Sequence, residues 1–167
     1  MITINKKASF ISILVTLTMI VSVYFLIAKK TPTALKFTPV NSISELQHAL
    51  SIAAKQQRPV ILDVYAAWCT PCVALSQQTF PAGKVILQLN NFTRLKADVT
   101  ANSAADIALM QYLNVIGFPS LLFWGPQGHP LPQARISGFI NADNFSDHLQ
   151  QPMFSIAPRS ISQTNAK

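Results

Sequence analysis

Residues 59–72 read PVILDVYAAWCTPC, an apolar and β-branched run that ends in two closely spaced cysteines. Runs of this kind are typical of a buried β-strand. After the run, Pro71 suits the first turn of a helix, where the missing N–H of proline costs least. We therefore predict a strand that leads directly into a helix, with Cys69 at the junction and Cys72 one turn further on.

The spacing of Cys69 and Cys72 predicts thiol–disulfide chemistry. Residues at i and i+3 share one face of a helix, so the two sulfur atoms can close a disulfide. Free N–H groups at the helix N-terminus would lower the pKa of the Cys69 thiol and favour its nucleophilic thiolate. Cys72, one turn further in, would be shielded and would resolve the mixed disulfide.

Three other uses of the cysteine pair stay open. A structural disulfide would gain little stability from so short a loop. Two buried free thiols are possible, although Trp68 and Pro71 favour an exposed turn. A metal site needs further soft ligands, and the three histidines of the chain show no ligand spacing, so no metal is expected.

A lone carboxylate, Asp63, lies inside the apolar run. Burial of a carboxylate is costly unless the group is paired or protonated. Desolvation would raise its pKa and suit it to general-base chemistry near neutral pH. Alternatively, Asp63 reaches solvent or pairs with Lys96 or Arg94, which share one face of the next predicted strand; such a pair is compatible with a base.

Apolar periodicity and turn residues predict alternating helices and strands. The predicted elements are a helix from Ser42 or Ser44, the strand from Val60, a helix over 69–78, a strand over 92–99, a helix over 103–112, strands over 120–124 and 134–138, and a helix over 142–149. A helix joins the first two strands, which implies that they are parallel, and a short turn makes the last two an antiparallel hairpin. The helix over 103–112 is expected to bury Ile107, Met110 and Leu113.

Composition and charge exclude two classes of protein. The chain has 167 residues, of which 50% are hydrophobic and 11% charged, so it is not a disordered protein. The net charge is +7, but acidic and basic residues are equal in number between positions 37 and 150. Because a nucleic-acid binder carries its basic patch on the folded domain, no nucleic-acid partner is expected.

Residues 10–28 read FISILVTLTMIVSVYFLIA, without a charge and between lysine pairs at 6–7 and 29–30. A helix of this length covers about 28 Å, close to the hydrocarbon thickness of a bilayer. We predict a transmembrane anchor rather than a cleaved signal peptide, which needs a shorter apolar run and a small-residue cleavage site. The short basic N-terminal side favours an orientation with the body outside the cytoplasm.

The chain therefore divides into five predicted segments. They are a flank over 1–9, the anchor over 10–28, a linker over 29–41, a folded domain over 42–151 and a flexible tail over 152–167. The expected location is the inner (cytoplasmic) membrane, with the folded domain in the periplasm.

Two segments carry a resemblance to a known family. DVYAAWCTPC at 63–72 resembles the active-site segment of thioredoxins, and GFPS at 117–120 resembles their cis-proline loop. Within that family, residues 60–149 resemble the C-terminal periplasmic domain of the disulfide interchange protein DsbD, through LDVYAAWC, QTF, KADVTAN, LNVIGFPSLLFW and PQARISGFINADNFSDHL. The resemblance implies an α/β thioredoxin fold, a central mixed β-sheet flanked by helices.

The resemblance also implies roles for individual residues. Cys69 would be the attacking thiol, Cys72 the resolving thiol and Asp63 the buried acid that accepts the proton of the resolving thiol. Pro119 would be a cis-proline that presents the backbone of Phe118 to an extended substrate strand. The expected substrate-binding residues are Trp68, Pro71, Phe118 and Pro119, and Tyr65 and Ile116 either extend this apolar rim or pack in the core.

The predicted function is that of a membrane-anchored extracytoplasmic thiol–disulfide oxidoreductase. It would reduce disulfide-containing protein substrates without a cofactor. Ala67 and Val73 stand where the resembling domain often has an acid and a base, which leaves thiolate stabilisation to the helix terminus. One helix cannot carry electrons across a bilayer, so a separate membrane protein is the expected electron donor. The alternatives are a dithiol oxidase or isomerase and a non-catalytic, chaperone-like binding module.

Overall fold

The computed structural model describes residues 35–155 and the single residue Met19. In this part of the chain five strands form one sheet, in the order β1-β3-β2-β4-β5. The strands are β1 (Thr38–Pro39), β2 (Val60–Tyr65), β3 (Thr93–Asp98), β4 (Ser120–Trp124) and β5 (Ile136–Ser137). The helices are α1 (Ile43–Lys55), α2 (Thr70–Ala74, continued by a π-helical turn Leu75–Thr79), α3 (Gly83–Leu89), α4 (Ala104–Tyr112) and α5 (Ala142–Leu149).

The sheet is mixed. The central strand β2 is parallel to β3 and antiparallel to β4, and β4 forms an antiparallel pair with β5. A mixed sheet with helices on both faces is the thioredoxin fold that the sequence predicts. The parallel pair and the closing hairpin were both expected from the lengths of their connections.

Strand β2 is buried from Val60 to Val64 because helices cover both faces of the sheet. Leu62 belongs to a core cluster with Leu46 of α1 and Leu109 of α4. Its neighbour Ile61 points the other way and belongs to a cluster with Phe145 of α5. Successive side chains of a strand point to opposite faces, so a strand between two helical layers is apolar throughout.

Side-chain caps begin three of the helices where the sequence predicts. The Ser42 hydroxyl accepts a hydrogen bond from the Glu45 backbone N–H at the start of α1. Ser103 and Asp106 form a reciprocal capping box on α4, and the Asn141 side chain caps α5. Each cap satisfies N–H groups that have no partner within the helix.

Two elements were not predicted. Strand β1 lies within the stretch 29–41 that we expected to be a linker, and it pairs in parallel with Leu95 and Lys96 of β3. Helix α3 is absent from the predicted elements, and beyond its end Arg58 donates hydrogen bonds to the Asn90 and Phe92 carbonyls. Both elements depend on partners far away in the sequence.

Two further expectations need correction. Leu109 of helix α4 and Leu113 at its C-cap are buried, whereas Ile107, expected on the buried face, is 39% exposed. The expected flexible tail begins with a 3-10 turn at Pro152–Phe154, and the Phe154 ring is buried against Phe92 and Phe123. The folded part of the chain therefore continues past residue 151.

No helix among the described residues is long and apolar enough to cross a bilayer. The predicted anchor at 10–28 lies outside the described residues, apart from Met19, as do residues 156–167. The anchor over 10–28 and the flank over 1–9 therefore stay predictions.

Candidate active site

Cys69 and Cys72 form a disulfide at the start of α2, with their Cα atoms 5.3 Å apart. Cys69 is the N-cap of this helix, and its sulfur accepts a hydrogen bond from the backbone N–H of Cys72 at 3.2 Å. Pro71 lies in the first turn, where no intrahelical N–H is needed. The cysteines are thus joined rather than free, and no group of three metal-ligating side chains occurs in the described ranges.

Both cysteines are almost fully buried in the disulfide form. Cys69 is 6% exposed and Cys72 5%, so exposure does not separate the two residues as expected. What distinguishes them is hydrogen bonding, because the sulfur of Cys69 faces the N–H of Cys72. An N–H donor at a sulfur favours the thiolate over the neutral thiol once the disulfide is reduced.

Apolar side chains surround the disulfide. Phe118 packs against the buried cluster that Ala66, Cys69 and Cys72 form, and its peptide bond to Pro119 is cis, as expected. The Trp68 side chain is 64% exposed and meets the Phe118 ring edge to face, with 5.7 Å between ring centroids. Ile116 is fully exposed, which answers the question left open for this residue: it is not part of the core.

Asp63 is buried on β2, on the same face as Ile61, and its neighbour across the parallel pair is Lys96 of β3. Burial raises the pKa of Asp63 to about 6, although the nearby Lys96 ammonium opposes this shift. The Lys96 Nζ lies 3.7 Å from Oδ2 of Asp63, while Oδ1 has no hydrogen-bond partner among the described residues. Arg94, the other predicted partner, donates instead to the backbone carbonyls of Lys36 and Leu89.

A network of polar side chains, which sequence reasoning missed, joins Asp63 to the loop before Cys69. The Lys96 ammonium lies over the ring of Tyr65, 4.0 Å from its centroid, and the Tyr65 hydroxyl donates to Asp98 at 2.7 Å. Asp98 accepts two hydrogen bonds from Thr100. One signal was available, since alternate residues of a strand share a face and KADVT places Lys96, Asp98 and Thr100 at alternate positions.

Two of these groups have shifted pKa values. Burial and the hydrogen bond to Asp98 raise the pKa of Tyr65 to about 12. Burial also raises the pKa of Asp98, but hydrogen bonds from Thr100 and Tyr65 outweigh it and hold that pKa below its usual value. The Asp98 carboxylate and the Tyr65 hydroxyl are therefore fixed as acceptor and donor near neutral pH.

The mixed sheet, the cis-proline loop and the Cys69–Cys72 disulfide define the class, a thioredoxin-like domain with a Cys-x-x-Cys disulfide. Residues 46–152 match the thioredoxin-like domain family, and the chain belongs to that family. Its relatives include the thiol:disulfide interchange protein DsbD of Vibrio cholerae serotype O1, 46% identical over 117 residues, or 70% of this chain and 20% of the relative. DsbD of Escherichia coli strain K12 is 45% identical over 121 residues, or 72% of this chain and 21% of the relative. The chain thus spans about a fifth of the length of these relatives.

Solved structures resemble the fold. The C-terminal domain of Neisseria meningitidis DsbD in the oxidised form aligns with a TM-score of 0.55 and 27% identity, over 68% of this chain and 95% of that domain. A thioredoxin from Thermus thermophilus aligns with a TM-score of 0.54 and 19% identity, over 70% of this chain and 85% of the thioredoxin. The second likeness bears on the fold alone.

Proposed function

We propose that this domain is a protein-disulfide reductase in which Cys69 attacks and Cys72 resolves. The observation that carries the proposal is the Cys69–Cys72 disulfide itself, at the start of α2 and packed against Phe118 of the cis-proline loop. A purely structural disulfide would not require an N–H donor at one sulfur or an exposed aromatic side chain at its edge.

The reaction transfers two electrons in two exchange steps. The thiolate of Cys69 attacks one sulfur of the substrate disulfide, a mixed disulfide forms, and the substrate S–S bond breaks to release a thiolate that takes a proton from solvent. Cys72 then loses its proton and attacks the sulfur of Cys69. The Cys69–Cys72 disulfide forms, and the second substrate sulfur leaves as a thiolate that takes a proton from solvent.

Asp63 is the proposed acceptor of the Cys72 proton. Its pKa of about 6 leaves the carboxylate mostly ionised at neutral pH, yet basic enough to take up a proton from a thiol. Oδ1, which has no hydrogen-bond partner within residues 35–155, can receive that proton. The Lys96 ammonium lowers the pKa of Asp63 from the value that burial alone would give, and it lies beside Oδ2 only.

Substrate would bind against Trp68, Pro71, Phe118 and Pro119. Trp68 and Pro71 are exposed, and Phe118 is half-buried beside the disulfide. An extended substrate segment that pairs with the backbone at Phe118 would place its disulfide next to Cys69. Recognition through backbone pairing and apolar contact suits clients of varied sequence.

The proposed setting is the inner membrane, with the thioredoxin-like domain in the periplasm. Support comes from the uncharged run at 10–28 and the lysines on either side of it. Reduction of the Cys69–Cys72 disulfide then requires two electrons and two protons from a dithiol protein in the same membrane. The similarity to DsbD, a thiol:disulfide interchange protein, fits such an exchange between dithiols.

Trapping of clients tests the proposal. A Cys72→Ser variant of the full chain cannot resolve its mixed disulfides, so it should accumulate client proteins bound through Cys69. A Cys69→Ser variant is the matched control and should trap none. Absence of mixed disulfides in the first variant, or trapping through Cys72 in the second, contradicts the assigned roles.

A further inference from the structure

We propose that Thr100, oriented by Asp98, is a positioning residue that holds the loop before Cys69 and thereby sets the reactivity of the Cys69 thiol. The inference rests on the proposed reductase function. It concerns a residue outside the Cys-x-x-Cys motif and the cis-proline loop. Thr100 lies beyond the end of β3, and β3 is the parallel neighbour of the strand that leads to Cys69.

Thr100 contacts the loop at two successive residues. Its Oγ1 accepts a hydrogen bond from the backbone N–H of Ala67 at 2.8 Å. Its backbone oxygen accepts one from Nε1 of Trp68 at 3.3 Å. These contacts hold the two residues immediately before Cys69, and they hold the indole that forms the edge of the site.

Asp98 determines which way the Thr100 hydroxyl points. Oδ1 of Asp98 accepts both the backbone N–H of Thr100, at 2.9 Å, and the hydroxyl proton. A hydroxyl has one proton and two lone pairs. Because the Thr100 hydroxyl donates its proton to Asp98, its lone pairs remain to accept the hydrogen bond from the Ala67 N–H. Oδ2 of Asp98 is held by the Tyr65 hydroxyl at 2.7 Å. Tyr65 of β2 therefore holds the Asp98 carboxylate in place, and the carboxylate in turn orients the Thr100 hydroxyl.

The position of this loop matters to the sulfur of Cys69. The backbone N–H of Cys69 donates to the Ala66 carbonyl at 3.1 Å, so the cysteine follows the loop. The sulfur of Cys69 accepts a hydrogen bond from the backbone N–H of Cys72 at 3.2 Å, and small displacements weaken such a bond. A loop released from Thr100 would weaken this contact, which stabilises the thiolate more than the thiol. Stabilisation of the reduced form makes a dithiol more oxidising. Release of the loop removes part of that stabilisation, so the equilibrium should shift toward the Cys69–Cys72 disulfide.

The test uses the full chain in detergent with three variants. Thr100→Val removes the acceptor at nearly constant volume, Thr100→Ser keeps the hydroxyl, and Thr93→Val makes the same change on β3 away from the loop. The readouts are the pH profile of Cys69 alkylation and the dithiol–disulfide equilibrium with glutathione. Thr100→Val should raise the pKa of the Cys69 thiol and shift the equilibrium about tenfold toward the disulfide, which corresponds to about 30 mV. Thr100→Ser and Thr93→Val should both match the wild-type protein.

Wild-type values of both readouts in Thr100→Val would overturn the inference, even if the variant unfolds at a lower temperature. Equal shifts in Thr100→Val and Thr100→Ser would also overturn it, because the hydroxyl would not be the cause. If Thr100→Val does not fold, Asp98→Asn tests the same contacts and should shift both readouts in the same direction; no shift counts against the inference. Client trapping by Cys72→Ser is independent of these variants, so failure of the reductase function is recognised separately.

Discussion

The ammonium group of Lys96 lies 3.7 Å from Oδ2 of Asp63, a carboxylate buried on the central strand. The pair is unequal, because the lysine side chain is 28% exposed and the aspartate side chain only 3%. Since Oδ1 of Asp63 has no partner in the described part of the chain, attraction to Lys96 does not compensate for desolvation. The result is a buried acid whose pKa is raised to about 6.

Asp63→Asn should change how stability depends on pH. The pKa of Asp63 rises from 3.8 to about 6 on folding, so between these values the native state holds a proton that the unfolded state has lost. The free energy of unfolding of the wild-type protein should therefore fall by about 3 kcal/mol as pH rises through both values, from about 3 to about 7, relative to Asp63→Asn. Denaturant unfolding of the disulfide form across this range measures the difference.

The matched control for that experiment is Asp147→Asn, at an exposed position on α5. This variant should keep the wild-type decrease in stability with rising pH. A parallel pH dependence of Asp63→Asn and the wild-type protein would show that the Asp63 pKa is not raised by folding.

Lys96→Met should raise the pKa of Asp63 above its wild-type value. The ammonium is the group that opposes desolvation, and methionine keeps most of the length and packing of the side chain while removing the charge. Titration of the Asp63 carboxyl carbon by NMR measures the shift directly. Lys84→Met, which removes a lysine paired with Asp143 on the surface, should leave that titration unchanged. An unchanged Asp63 pKa in Lys96→Met would mean that the Lys96 charge does not act on the carboxylate.

Ile116→Ala should weaken the use of protein substrates without altering the thiol chemistry. The side chain is fully exposed next to the cis-proline loop, so its removal should change stability by less than about 0.5 kcal/mol. The expected result is a higher KM for a protein disulfide and an unchanged rate with a small disulfide such as oxidised glutathione. Leu87→Ala, at a 70% exposed position of α3, is the control and should change neither. Equal losses with both substrates would place Ile116 outside the binding surface.

Phe154→Ala should destabilise the domain by about 3 kcal/mol. The Phe154 ring is buried against Phe92 and Phe123, with centroid separations of 5.2 and 5.1 Å. Thermal or denaturant unfolding measures the loss, and Ser155→Ala, at the exposed next position, should behave as the wild-type protein. Equal stability of the two variants would mean that the 3-10 turn is not part of the folded core.

Local patterns were enough to predict much of the fold and the centre of the site. The apolar run before Cys69 specifies a buried strand, and Ser42, Ser103 and Asn141 specify helix starts because a cap acts within one turn. The i and i+3 spacing brings the two cysteines together on α2. Burial of Asp63 followed from its place in an apolar run, and Lys96 was one of its two predicted partners.

The features that the sequence did not predict depend on distant partners. A two-residue strand such as β1 has no alternation to detect, and it exists because β3 offers its edge. Ile107 is exposed because the position of α4 against the sheet, rather than hydrophobicity alone, determines which side of a helix is buried.

By itself, then, the sequence determined the order of the main elements, the disulfide and the buried acid, because each follows from contacts within a few residues or from one apolar run. Only the tertiary structure decided that Lys96 rather than Arg94 faces Asp63, and that Thr100 holds the backbone at Ala67. Asp63 is 33 positions from Lys96, and Ala67 is 33 positions from Thr100. Across such a separation the partner is chosen by the register of β2 against β3, a property of the assembled sheet.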